Sequence, residues 1–198
     1  MNIEPSKMKS KFKKGNDKEK IDLLIAWNNL RDPDIADFLF EVIEKEQFYK
    51  VRVLAAIQLK NYDSKNNGEK LERMYYREKD ESVKIAIIET LAEYENFDSK
   101  DFLVKEVRRG LSGIIKGTAL RKIHERKKLS NDEMEKILLT IISNENESFP
   151  KKLALSLITK YATKKSLPIL WNLMIKEENE EEKIILERVI NNLEKKYD

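Results

Sequence analysis

The chain has 198 residues, of which 40% are apolar and 38% charged, with five glycines, four prolines, no cysteine and a net charge of +3. The lack of cysteine excludes disulfides, thiolate nucleophiles and Cys-ligated zinc or iron–sulfur sites, and a charge this small points by itself to neither nucleic acid nor membrane. So little glycine and proline leaves few residues for the tight turns of a β-rich fold, and an all-α chain of thin, stripe-burying layers follows.

The first 17 residues are basic, and residues 1–20 carry a net +4. This segment is either a disordered basic tail or a short capping helix that ends near Gly15, with Met8 and Phe12 as its apolar positions. It lacks the continuous apolar run of a secretory signal, and no stretch of the chain approaches the roughly 18 apolar residues of a membrane span. A cytoplasmic protein without a membrane partner is therefore expected, with residues 18–198 forming a single domain.

From Lys20 onward a 32-residue period organises the sequence. Basic residues recur at Lys20, Arg52, Lys84 and Lys116 and, after a three-residue insertion, at Lys151 and Lys183. Three residues beyond each stand Leu23, Ala55, Ile87, Ala119, Ala154 and Leu186, and seven beyond stand Trp27, Leu59, Leu91, Ile123, Ile158 and Ile190. That spacing marks one-faced amphipathic helices, the second (B) helices of six units. First (A) helices lie between them, with Leu39, Leu71, Leu103, Leu138 and Leu170 in register and Ile43, Tyr75, Val107, Ile142 and Met174 four residues later. Asp32-Pro33 is a helix start, and Ser130 with Glu133 forms a capping-box pattern.

The segments VRVLAAIQL, SVKIAIIETL and IKGTALRKI resemble second helices of the HEAT-like repeat family, of the short bilin-lyase type, and the resemblance spans roughly residues 18–195. It implies a right-handed α-solenoid of five to six antiparallel helical hairpins. Signatures of tetratricopeptide and ankyrin repeats are absent. The scaffold is shared by many functions, including alkylpurine DNA glycosylases and bilin lyases, whose functional residues have no match in this chain.

The basic series admits two readings, an anion-binding ladder or, as the resemblance implies, ties from each unit to its neighbour. Residues 105–128 form the most basic stretch, at net +7, with Lys105, Arg108, Arg109, Lys116, Arg121, Lys122, Arg126, Lys127 and Lys128 as candidate anion- or partner-binding residues. Two helix C-termini fall within it, where cations also offset the helix dipole. Successive antiparallel helices end at opposite edges, so these are two clusters; Lys116 and Lys128 are separated by about 18 Å of helix. Trp27 and Trp171 stand in apolar faces and are expected in the core, whereas Tyr76 is off register and expected to be exposed. His124, the only histidine, is read as a surface residue, since one His-Glu pair cannot hold the two metals of the HEAT-like iron hydroxylases. The apolar residues Ile184, Ile185, Val189 and Leu193 are expected to form a face on the last helix that could support a dimer.

No glycine-rich phosphate loop, EF-hand loop or H-E-x-x-H motif occurs, so nucleotide hydrolysis and the common metal mechanisms lack a starting motif. The expected function is that of a non-catalytic scaffold, without catalytic residues or cofactor, that binds another protein. The alternative is nucleic-acid binding, related to DNA repair, through residues 105–128.

Overall fold

A computed structural model describes residues 5–28 and 31–197; residues 1–4 of the basic N-terminal segment lie outside it. The described residues contain twelve α-helices and no strand. The helices are α1 (Pro5–Lys14), α2 (Asp17–Ala26), α3 (Pro33–Lys45), α4 (Tyr49–Gln58), α5 (Lys65–Arg77), α6 (Glu81–Glu93), α7 (Lys100–Arg109), α8 (Gly113–Glu125), α9 (Asn131–Asn144), α10 (Ser148–Tyr161), α11 (Leu167–Lys176) and α12 (Glu180–Tyr197). They group into two compact units, 1–103 and 104–198, divided within α7.

Short polar side chains start the helices where the sequence places them. Asn16 with Glu19 and Ser130 with Glu133 form complete capping boxes, and Asp32, Ser64, Asp80 and Ser112 accept first-turn N–H groups. Each satisfies donors that a helix leaves unpaired at its N-terminus. The periodic apolar residues fill the interior. Leu39, Leu71, Leu103, Leu138 and Leu170 are fully buried, as are Leu59, Leu91, Ile123, Ile158 and Ile190.

In the first unit α4 packs between α2 and α6, and α3 and α5 pack on α4 and α6 respectively. Side chains from one B helix reach back to the main chain of the B helix one period earlier. Gln58 donates to the Leu24 carbonyl, Thr90 to that of Ala56 and the Tyr94 hydroxyl to that of Leu59. The Asp63 carboxylate accepts from the backbone N–H groups of Glu95 and Asn96, joining equivalent turns. At the N-terminal end α1 buries Met8 and Phe12, and the Phe12 ring meets Trp27 and Phe38 at centroid distances of 6.0 and 5.2 Å. Trp27 is thus a core residue. Tyr76 is exposed beside the buried Tyr75.

In the second unit α10 packs against α8, α9 and α12, and α11 packs on α12. Tyr197 donates to the Ala162 carbonyl, and Glu135 accepts from Thr163 and Ser166. Two expectations for this end change. Trp171 is 39% exposed with its indole N–H on Glu194, because α11 turns Trp171 and Ile175 outward. Val189 and Leu193 are buried and Ile185 is half-buried, so of the four residues expected to form an open face only Ile184 is exposed. α12 buries its stripe against α10 and α11.

Candidate functional site

Ion pairs from a B helix to the end of the following A helix account for most of the basic series. The Lys20 ammonium lies 2.7 Å from the Glu46 carboxylate, and the Arg52 guanidinium clasps both oxygens of Glu78 at 3.1 and 3.2 Å while donating to the Glu46 and Gln47 carbonyls. Lys151 pairs with Glu177 at 2.8 Å and with Glu182. Each first-named acid stands 26 residues after its cation; across the insertion the interval becomes 29, and Lys116 meets Glu145 at 2.9 Å. Lys84 is buried and donates to the Tyr75 carbonyl with its ammonium 4.0 Å from the centre of that ring. Lys183, in the last helix, makes only a long contact of 3.8 Å to Glu180 among the described ion pairs.

These carboxylates are held below their ordinary range. Burial pushes Glu46, Glu78 and Glu145 up, but hydrogen bonds from neighbouring backbone N–H groups and from the paired cations outweigh it. For Glu177 the hydrogen bond from Lys151 is the largest influence. A carboxyl whose native pKa is depressed contributes stability that is complete above its unfolded value and is lost as pH falls through the native one. The melting temperature is therefore expected to hold from pH 7 to about 5 and to fall below the ordinary value of 4.5. Calorimetry of Glu46→Gln/Glu78→Gln should show a lower melting temperature at pH 7 and a flatter acid limb; an acid limb unchanged from the parent would contradict this role.

The structure divides the basic 105–128 segment. Lys105, Arg108 and Arg109 are exposed on the C-terminal half of α7. The Lys116 stem packs beside Gly110 at the start of α8, with its charge engaged by Glu145 and Glu147. Glu125 accepts from both Arg121 and Lys122. Arg126 and Lys127 are exposed and Lys128 half-buried in the turn that follows α8. There Lys127 takes φ 50°, and Lys128 N–H bonds to the Ile123 carbonyl while Lys127 N–H bonds to that of His124. Those two bonds are the Schellman arrangement, whose left-handed position glycine normally occupies.

Helices α8 and α10 lie side by side in the same direction. Glu147 accepts from Gly113 N–H and the Phe149 ring lies over Gly117 near their starts, and His124 Nδ1 is 2.6 Å from the Tyr161 hydroxyl near their ends. His124 is thus half-buried rather than a plain surface residue; burial, then the Lys160 charge, depress its pKa. The end of α10 and the connection after it carry Lys160, Lys164 and Lys165, and the Lys160 charge acts on His124 near the end of α8. The sequence reading missed these three lysines. Their signal was present in the period, since one 35-residue step from Arg126–Lys128 lands on Tyr161–Thr163, between them.

A second surface lies on the outer side of the B helices of the first unit, one and five residues after each ladder position. There stand Ile21 and Ile25 on α2, Val53 and Ile57 on α4, and Ile85 and Glu89 on α6. Ile25 is 59% exposed and the others are half-buried, so partly exposed β-branched side chains run across three adjacent helices. Equivalent places in the second unit hold Gly117 and Arg121, Lys152 and Ser156, and Ile184 and Arg188. The apolar stripe is confined to the first unit.

Among the described residues no three His, Asp or Glu side chains converge as a metal site. No described helix is long and apolar enough to cross a membrane. Comparison with family models, curated proteins and solved structures finds no match to the chain.

Proposed function

We propose that the helical hairpins are HEAT-like repeats of one α-solenoid and that the protein is a non-catalytic module that binds another protein. The observation that carries this reading is the stripe formed by Ile21, Ile25, Val53, Ile57 and Ile85 on the outer side of α2, α4 and α6. A repeat scaffold offers extended surface, and half-exposed aliphatic side chains on adjacent helices are the kind of floor on which an amphipathic helix or extended peptide buries its own apolar residues. Burial of the stripe favours binding by about 25 cal/mol for each Å² removed from water, whereas an isolated exposed isoleucine would need no explanation. The Lys20–Glu46 and Arg52–Glu78 pairs tie together the hairpins that carry the stripe, which favours a rigid floor on which little conformational entropy is lost on binding.

Immobilised protein is expected to retain a specific protein partner from the cells that make it, and Ile25→Asp/Ile57→Asp to lose at least tenfold of that retention with an unchanged melting temperature. Equal retention by the double variant, or retention of nucleic acid with no protein, would sink the reading.

A further inference from the structure

We infer that the outer face of α11 joins two copies of this chain, with their α11 helices antiparallel about a two-fold axis near Trp171. This face lies in the second unit and is independent of the stripe described above. Helix α11, LPILWNLMIK, has seven apolar residues besides its proline, yet only Leu170 is buried. Helix α3, which likewise opens its hairpin, also has seven apolar residues, and all seven are buried. A helix that is apolar all round is ordinarily an interior one. α11 instead exposes Ile169, Trp171 and Ile175 at 45, 39 and 73%. With Pro168, also exposed, Trp171 and Ile175 form a stripe at i, i+3 and i+7. Monomers seldom leave so dense an apolar face in water.

The period indicates what fits this face. Trp171 is in register with Phe40, and Met174 with Ile43, Tyr75, Val107 and Ile142; all five of those counterparts are buried, whereas Met174 is half-buried. Phe40 is covered from the following hairpin, whose Lys70 ammonium lies 4.2 Å from the centre of its ring. The α11 face thus has the chemistry of a surface between hairpins of this chain, and a second copy supplies such a hairpin. In the first unit, α1 buries Met8 and Phe12 and exposes Lys11 and Lys14, the polar outer side of a capping helix. A head-to-tail contact would set the α11 stripe against these lysines, whereas α11 against α11 buries apolar on apolar, as a two-fold interface requires.

Charge fits the two-fold as well. Lys164 stands seven residues before Trp171 and Glu178 seven after it, and both are exposed. Antiparallel pairing centred on Trp171 sets Lys164 of each copy against Glu178 of the other, while within one copy they stand beyond opposite ends of α11. The Trp171 ring can be covered without stranding a donor, because its indole N–H is already bonded to Glu194 at 3.2 Å.

Sedimentation velocity of the full chain tests this. Wild type is expected to shift from monomer towards dimer between about 2 and 200 µM, with a dissociation constant on the order of 10 µM, since a helix about 15 Å long covers less than the roughly 800 Å² per partner of a tight interface. Trp171→Ser/Ile175→Ser should weaken association at least tenfold with an unchanged melting temperature. Lys164→Glu and Glu178→Lys should each weaken it at least threefold, and the double swap Lys164→Glu/Glu178→Lys should restore it. Asn172→Cys, in a chain without cysteine, should be joined to its copy by a short bis-maleimide faster than Ser82→Cys. Ile25→Asp/Ile57→Asp, which alters the stripe of the first unit, should dimerise like wild type. A wild type still monomeric at 200 µM, a double swap no better than its single variants, an equal loss in the first-unit variant, or equal cross-linking at positions 172 and 82 would each overturn the inference.

Discussion

Gly68→Ala is expected to destabilise the first unit by about 2 to 3 kcal/mol, although the same change inside an exposed helix would add about 1 kcal/mol of stability. Gly68 is buried in α5, and a Cβ there would come within 2.2 Å of Phe97 Cγ and 2.5 Å of its Cβ. The Phe97 ring is itself buried, so neither the ring nor the base of the side chain can move away without shifting the turn that carries it. Gly117→Ala is the matching control. Its Cβ would meet the Phe149 ring at 2.2 Å, but Phe149 is 48% exposed and only the far edge of its ring is involved. That ring can swing into solvent, and the expected change is within about 1 kcal/mol. Urea unfolding of the two variants checks both values; equal losses would mean that ring burial is not what distinguishes the sites.

Arg52→Ala is expected to cost about 2 to 3 kcal/mol. Arg52 and Glu78 are only 15% and 10% exposed, and the guanidinium also satisfies the Glu46 and Gln47 carbonyls at the end of α3. Removing the cation leaves a mostly buried carboxylate without its counter-charge and two carbonyls without a donor, which is worse than losing the pair. Arg52→Met/Glu78→Leu should therefore be less destabilised than Arg52→Ala alone. Arg52→Lys should cost about 1 kcal/mol, because lysine keeps the charge, as at Lys20, Lys116 and Lys151, but loses the two-pronged grip on Glu78. Thermal unfolding of the four proteins at pH 7 would show that order, and a double variant less stable than Arg52→Ala would reject the account.

Much of the fold was legible because burial repeats. Leu39, Leu71, Leu103, Leu138 and Leu170 are found by counting, and all five are fully buried. Trp171 failed the same logic. Its counterpart Phe40 is buried under the next layer, where Lys70 lies over its ring, and the last hairpin has no next layer among the described residues. Periodicity identifies which side chains point between layers; it does not say whether a layer is there to meet them.

The candidate surfaces divide along the same line. Local chemistry along the chain is enough to place the helices, their caps, the basic ladder and the three-residue interruption, since each depends on residues within one or two turns or on a constant interval. Which acid each cation meets, that Glu145 takes up the interval shifted by the insertion, and that the Lys160 charge reaches His124 are matters of tertiary structure. Helices α8 and α10 are separated in sequence by all of α9, and only their side-by-side packing brings His124 to the Tyr161 hydroxyl. The outward stripe of Ile21, Ile25, Val53, Ile57 and Ile85 was written in the sequence with the same period as the core, but an isoleucine looks alike whether a neighbour covers it or water does; packing alone told the two apart.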